Sequence, residues 1–160
     1  MSNDLWRQTM IQEMKMAASL YPNVDLIIMD ANEDSHRQVY QIDQLLSKKI
    51  DVLIISPNES QPVTPIAVRA YKSGIPTIII DRKIESDQFT AYIGADNFEI
   101  GKHVGQYLGN VFKGKGRVLE IRGLDGSSPA RDRHNGFING ISDFPNLKLV
   151  ASCVVDSLKD

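Results

Sequence analysis

The chain has 160 residues, 42% of them hydrophobic and 24% charged, and a formal net charge of −2. This is ordinary folded composition, enough for one domain or two small ones, and the charge argues against a nucleic-acid surface. The single cysteine, Cys153, excludes an intramolecular disulfide and a metal site built from cysteines. Because Cys153 lies in an apolar run, we expect its thiol to be buried.

Helical and strand-like patterns alternate along the chain. The first half of the chain predicts a helix over 4–21, a strand over 24–30, a helix opened by a capping box of Ser35 and Gln38, a strand over 51–56, a helix near 64–73 and a strand over 76–80. The second half predicts a strand over 90–94, a helix over 97–112, a strand over 117–121, a helix from about 129 and a strand over 148–155. Such alternation is typical of βαβ units and a parallel sheet, so the expected fold class is α/β.

Polar residues follow three of these strands. Asp30 ends the first, Ser56 and Pro57 follow the second, and Asp81 and Arg82 end a run of β-branched residues. Ligands of open parallel sheets bind just beyond the carboxyl ends of the strands, so we expect Asp81 and Arg82 at a binding cleft. The alternative for this pair is an ordinary surface ion pair.

Trp6 is the only tryptophan and lies in the first turn of the first predicted helix. Its helical spacing suits core packing. The neighbouring Asn3 and Asp4, however, place amide and carboxylate groups beside the ring, at the same sheet edge as Asp81. An aromatic face beside polar groups suits a sugar, whose C–H face stacks on the ring while its hydroxyls form hydrogen bonds.

Two arginines, Arg131 and Arg133, open the helix that follows a glycine-containing loop. Positive charge is disfavoured at a helix N-terminus, and a ligand or a carboxylate facing these side chains would offset that cost. The alternative is a pair of solvated arginines.

Catalytic and metal-binding motifs are not evident. The three histidines lack the spacing of metal ligands, and no serine nucleophile motif is present. We therefore expect no enzymatic activity, no metal and no cofactor. No run approaches the roughly 18 apolar residues that a bilayer crossing needs, and no signal peptide is recognised, so membrane association is expected only through flanking segments.

Several segments together resemble the type I periplasmic sugar-binding proteins of the ribose-binding kind. The matching segments are 2–6, 54–57, 74–82, 93–97, 123–133 and 136–137. The resemblance implies Rossmann-like parallel-sheet lobes joined by a hinge, with a first lobe over 1–95 and part of a second lobe over 96–160. It also implies that the first strand of the first lobe and the C-terminal half of the second are absent from this sequence.

The resemblance further implies roles for individual residues. Asn3 would bind sugar hydroxyls, and Leu5 and Trp6 occupy the positions where the family stacks aromatic rings. Asp81 and Arg82 would bind hydroxyls as a charged pair. Arg133, rather than Arg131, matches the sugar-binding arginine of the second lobe. Asp4 and Leu5 are secondary candidates, and Leu5 departs from the family's second aromatic residue.

Among such proteins, the segments around Trp6 and 90–97 look most like the extracytoplasmic sensor of Bacteroidetes hybrid two-component systems. That likeness implies a periplasmic location and a histidine kinase in the parent chain. The alternatives are a solute-binding protein of a sugar ABC transporter and the effector domain of a lactose-repressor-type regulator. The unpaired sheet edges of such a partial domain are expected to pair with another chain or with a second copy.

Overall fold

The computed structural model describes residues 5–155. The helices are α1 (Leu5–Ser19), α2 (Ser35–Ser47), α3 (Ser60–Lys72), α4 (Asn97–Val111) and α5 (Ser128–Ile141). The strands are β1 (Leu53–Ile55), β2 (Thr77–Ile80), β3 (Ala91–Ile93), β4 (Lys115–Arg122) and β5 (Asn146–Val154). Strands and helices alternate over most of this range, and the expected α/β class is confirmed.

The first sheet contains β1, β2 and β3 in that order, and all three strands are parallel. The helix α3 makes the crossover from β1 to β2. Alternate residues of β1 and β2, namely Leu53, Ile55 and Ile79, enter a core that also takes the apolar faces of α2 and α3. The buried members of this core are Ile42, Leu53, Ile55, Val63, Ile66, Ala67, Ala70, Ile79 and Ile84.

The second sheet pairs β4 with β5, again in parallel, and α5 makes the crossover between them. A smaller core of Phe137, Ile141 and Leu147 lies under it. The helices α4 and α5 approach each other closely because glycines line their contact. A Cβ atom on Gly136 would overlap the backbone oxygen of Phe98, and one on Gly101 would overlap the backbone oxygen of Arg133.

The prediction of a strand over 24–30 is wrong, because within the described residues the structure assigns no strand to this segment and pairs none with it. Its β-branched and apolar residues suit a strand, but a strand also needs a neighbour with which to exchange hydrogen bonds. The sheet instead begins at β1. This segment and the edge of β1 face each other across an open space.

Two further predictions were wrong in detail. The N-cap of α2 is Asp34, whose carboxylate accepts a hydrogen bond from the Arg37 N–H at 3.0 Å. This hydrogen bond lowers the pKa of the Asp34 carboxyl below its ordinary value. Ser35 does not close a capping box; its hydroxyl donates to Glu59. Cys153 is exposed because β4 is the only strand paired with β5 in the described residues.

Candidate ligand-binding site

Polar residues follow two neighbouring strands of the first sheet, as the sequence predicted. Ser56 and Pro57 come directly after β1, and Asp81 and Arg82 come directly after β2. Because β1 and β2 are parallel and hydrogen-bonded, these residues share the carboxyl edge of the sheet.

Asp81 is held by its backbone in an uncommon conformation. Its φ is +64°, in the left-handed region, which Asp tolerates better than most residues. Its N–H donates to the Ile93 carbonyl at 2.8 Å, and its carbonyl accepts the Tyr92 hydroxyl at 2.8 Å. Both backbone groups are therefore satisfied by β3, and the carboxylate, 32% exposed, is available to a ligand. Strain of this kind concentrates at ligand-binding positions.

Tyr92 is itself half-buried under this turn. Burial raises the pKa of its phenol above the ordinary value of 10.0, and the carboxylates of Asp81, Asp132 and Asp96 raise it further. The neutral hydroxyl is thus the form that holds Asp81. The ammonium group of Lys83 lies 5.3 Å from the centre of the tyrosine ring.

Arg82 is anchored on the other side of the edge. Its guanidinium donates to the Asn58 carbonyl, and its Nε lies 4.0 Å from the nearer carboxylate oxygen of Asp81. With 20% of its side chain exposed, Arg82 presents a fixed positive group beside a fixed negative one. Such a pair can donate to and accept from neighbouring hydroxyl groups at once.

A buried polar cluster supports Arg82 through Asn58, which is 8% exposed. The Asn58 amide donates to the Ser35 hydroxyl at 2.9 Å and to the Glu33 carbonyl at 3.0 Å. The Asn58 N–H donates to the Gln38 side chain at 2.8 Å. Sequence reasoning missed this cluster, although Ser35 and Gln38 were visible as polar residues beginning α2 and Asn58 as a polar residue after Pro57.

The carboxyl edges of the two sheets meet through two hydrogen bonds, and a third bond joins the two donor residues on the side of the first sheet. We call these three bonds together the clasp. Ser60 N–H donates to the Gly126 carbonyl at 3.0 Å, and Lys83 N–H donates to the Ser128 hydroxyl at 2.6 Å. The Ser60 hydroxyl donates to the Lys83 carbonyl at 2.7 Å. Ser60 and Ser128 are each only 1% exposed, so their hydroxyls are shielded from water.

Arg133 lies on α5, beyond the clasp. Its Nε donates to the Asn97 side chain at 2.8 Å, and Asn97 is 3% exposed at the start of α4. Within the described residues, no hydrogen bond or ion pair joins Arg133 to Asp81. Arg131 instead approaches carboxylates, at 3.5 Å from Glu85 and 3.4 Å from Asp132. Those carboxylates offset its position near the helix N-terminus.

The first turn of α1 is placed at the same edge. Arg7 donates to the Ser56 hydroxyl at 3.1 Å, which brings Leu5 and Trp6 to the carboxyl end of β1. Trp6 is 51% exposed, so its ring does not pack into the core, which was the alternative expected from its helical spacing. Asn3 and Asp4 lie outside the described residues, and their sugar-binding roles stay predictions.

Within residues 5–155, no three His, Cys, Asp or Glu side chains gather in a way that could hold a metal ion. None of the helices in that range combines the length and apolar character that a bilayer crossing requires.

The whole sequence, residues 1–160, matches the family model of the periplasmic binding protein domain. The chain therefore belongs to that family, and the resemblance noted from its sequence is confirmed. The expected periplasmic location of the domain is confirmed by the same matches.

Individual relatives show how far the likeness extends. The solved fructose-binding periplasmic domain of a hybrid two-component system has a TM-score of 0.90 and 46% identity, over 96% of this chain and 51% of that one. The periplasmic binding protein of the arabinose ABC transporter from Shewanella sp. ANA-3, solved with L-arabinofuranose, has a TM-score of 0.85 and 29% identity, over 97% and 52%. The ribose import binding protein of Bacillus subtilis is 29% identical over 114 residues, 71% of this chain and 37% of that protein. The chain thus spans about half the length of the two solved relatives and 37% of the length of the ribose import binding protein.

Proposed function

We propose that this chain binds a monosaccharide or another small sugar, as part of the periplasmic input domain of a hybrid two-component sensor that controls carbohydrate use. The observation that carries the proposal is the fixed Asp81–Arg82 pair at the carboxyl edge of the first sheet. The 46% identity to a fructose-binding sensor domain supports the signalling role. In this proposal the parent chain would carry the histidine kinase.

The sugar would lie between two lobes, one formed by residues 1–95 and the other begun by residues 96–160. Asp81 and Arg82 would bind its hydroxyls, the Trp6 ring would stack on its C–H face, and Asn3 would add an amide. Arg133 would reach it from the second lobe, with Asp4 and Leu5 at the margin. Binding would favour a closed arrangement to the extent that the sugar contacts both lobes at once.

A second candidate is the solute-binding protein of a sugar ABC transporter. It is favoured by the likeness to the arabinose and ribose import proteins. The binding chemistry is the same in both cases, so the two candidates differ in the partner that reads the closed state. Kinase activity of the parent chain that rises with sugar would support the sensor, and sugar uptake that depends on the chain would support the transporter.

The binding proposal is tested by titrating the chain with fructose, L-arabinose and ribose, followed by calorimetry and by the fluorescence of Trp6. We expect at least one sugar to bind with saturation. Asp81→Asn keeps a residue that tolerates positive φ but removes the charged acceptor, which costs roughly 1.5–3 kcal/mol of binding, about 10- to 150-fold.

The matched control is Asp143→Asn, which changes an exposed aspartate at the end of α5. It should leave the affinity unchanged. Equal affinities for the native chain and Asp81→Asn would remove Asp81 from the site, and folded protein that binds none of the sugars would contradict the function proposed for this chain.

A further inference from the structure

Glu59 is the N-cap residue of α3, but its carboxylate does not cap that helix. Within the described residues its side chain accepts no hydrogen bond from the first turn of α3. The Ser35 hydroxyl donates to the carboxylate instead, at 2.6 Å. A separation this short is typical of a hydroxyl that donates to a charged oxygen. The carboxylate of Glu59 is therefore turned away from its own helix and toward the start of α2.

Ser35 connects Glu59 to Asn58. A hydroxyl has one proton to donate, so the bond to Glu59 leaves the lone pairs of the Ser35 oxygen for a donor. The side-chain amide of Asn58 donates to that oxygen at 2.9 Å. Ser35 is 7% exposed and Asn58 is 8% exposed, so either group would be costly to leave without its partner.

The same connection reaches Arg82. Its guanidinium donates to the backbone carbonyl of Asn58, the residue whose side chain Ser35 holds. We call these three hydrogen bonds the relay: from Arg82 to Asn58, from Asn58 to Ser35, and from Ser35 to Glu59. Hydrogen bonds in series polarise one another in a buried setting, so the charged acceptor at one end strengthens the whole series.

The second lobe packs against the Glu59 end of the relay. A Cβ atom on Gly126 would overlap the side chain of Glu59, and the Gly126 carbonyl accepts from the Ser60 N–H at 3.0 Å. The φ of Gly126 is not left-handed, so this contact uses the small size of glycine and not its backbone freedom. The carboxylate of Glu59 is thus confined between Ser35 and Gly126.

We propose that Glu59 is a positioning residue for Arg82, and that contact between the lobes, through Gly126, keeps it in place. This inference rests on the sugar-binding role proposed for Arg82. While the lobes touch, Gly126 confines the carboxylate against Ser35, and the relay holds the guanidinium of Arg82 beside Asp81. When the lobes separate, Glu59 gains space and the relay loosens. Arg82 is then better ordered in the closed arrangement, and a sugar that binds the ordered guanidinium favours closure.

The first test needs no sugar. Glu59→Met keeps the length of the side chain and removes the acceptor, whereas Glu59→Gln keeps an acceptor oxygen at the same place. NMR measures the rotation of the Arg82 guanidinium about its Nε–Cζ bond, which requires the bond to Asn58 to break. Glu59→Met should speed this rotation roughly 3- to 10-fold, as expected for the loss of one buried hydrogen bond, and Glu59→Gln should restore the native rate.

Two further variants test the links of the relay. In a chain that already carries Ser35→Ala, Glu59→Met should have no further effect on the rotation, because the relay is already broken. Gly126→Ala should displace the carboxylate and speed the rotation as Glu59→Met does. Gly123→Ala is its matched control, since no atom lies within 4 Å of the added Cβ. Gly126→Ala changes no side chain of the relay, so it decides the proposal even if Glu59→Met does not fold.

Sugar affinity is the second readout. For any of fructose, L-arabinose or ribose that binds, Glu59→Met and Gly126→Ala should weaken the affinity roughly 3- to 10-fold, and Glu59→Gln should leave it unchanged. If the folded chain binds none of the three sugars, the sugar-binding function fails. The rotation of Arg82 in the sugar-free chain still decides whether the relay exists.

Four outcomes would overturn the proposal. The first is an unchanged rotation of Arg82 in Glu59→Met, and the second is additive effects of Ser35→Ala and Glu59→Met. The third is an unchanged rotation in Gly126→Ala, which would disconnect the second lobe from the relay. The fourth is a faster rotation with undiminished sugar affinity, which would reduce the relay to a purely structural role.

Discussion

At the scale of single residues, the hydrogen bond from the Tyr92 hydroxyl to the Asp81 carbonyl holds the left-handed turn at the end of β2. The bond needs the protonated phenol. Because the pKa of Tyr92 is raised in the folded chain, folding favours that protonated form. The contribution of this hydrogen bond to the free energy of unfolding is therefore fully present below the pKa of unfolded tyrosine, about 10. It is lost as the pH rises through the pKa of Tyr92 in the folded chain.

Tyr92→Phe should lower the free energy of unfolding by roughly 0.5–1.5 kcal/mol at pH 7, since one hydrogen bond is lost. The native chain should lose this margin as the pH rises beyond 10, and the difference between the two proteins should then shrink. Urea unfolding between pH 7 and 11 measures both effects. Tyr71→Phe, at an exposed tyrosine of α3, is the control, and an equal loss in that variant would contradict the assignment.

The sequence placed Asp81 and Arg82 at the sheet edge because they follow a run of β-branched residues. It could not show the left-handed φ of Asp81, which depends on hydrogen bonds to Tyr92 and Ile93 in the next strand. It also could not show that Asn58 anchors Arg82. An asparagine after a strand has many possible partners, and tertiary contact alone selects one.

At the scale of elements, α4 and α5 pack with their backbones in direct contact. Gly101 and Gly136 permit this approach because neither carries a Cβ atom. The sequence showed both helices from their apolar spacing. It did not show which faces meet, because a glycine in a helix pattern marks a possible close contact without naming its partner.

Gly136→Ala should destabilise the chain by roughly 1–3 kcal/mol or more, since the added methyl group must push the backbone of α4 away. Gly123→Ala is the matched control: no atom lies within 4 Å of the position its Cβ would take, and its backbone is not left-handed. Thermal unfolding of both variants measures the difference. Similar melting temperatures would show that the helices separate without cost.

The segment 24–30 shows where pattern reasoning stops at this scale. Its apolar residues predicted a strand, and the structure assigns none there. A strand, however, needs a hydrogen-bonded neighbour, and β1 lies across an open space from this segment. Cys153 was misjudged for a related reason, since an apolar run is buried only where another element covers it.

At the scale of the whole molecule, the clasp joins the two sheets beside the proposed sugar site. Its hydrogen bonds link loops that are far apart in the sequence, so no local pattern could predict them. Ser128 accepts from the Lys83 N–H and is almost completely buried. Losing that acceptor leaves a buried donor without a partner.

Ser128→Ala should therefore cost roughly 1–3 kcal/mol of stability and loosen the contact between the sheets. Ser60→Ala should act on the same contact, so the double variant should cost less than the sum of the single ones. Urea unfolding gives the energies, and small-angle scattering should show a larger radius of gyration. Ser142→Ala, at the exposed end of α5, is the control; strictly additive losses would mean that the two serines act separately.

The glycine contact between α4 and α5 has a mechanical consequence. Arg133 donates a hydrogen bond to Asn97, the first residue of α4. This helix begins directly after residues 94–96, and α5 packs against it. A helix of 15 residues is about 22 Å long, so a 10° turn of the backbone there would carry its far end through about 4 Å. Arg133, close to the pivot, would scarcely shift. Arg133 would therefore keep its place in the proposed site while the distant end of α4, near Phe112, moves.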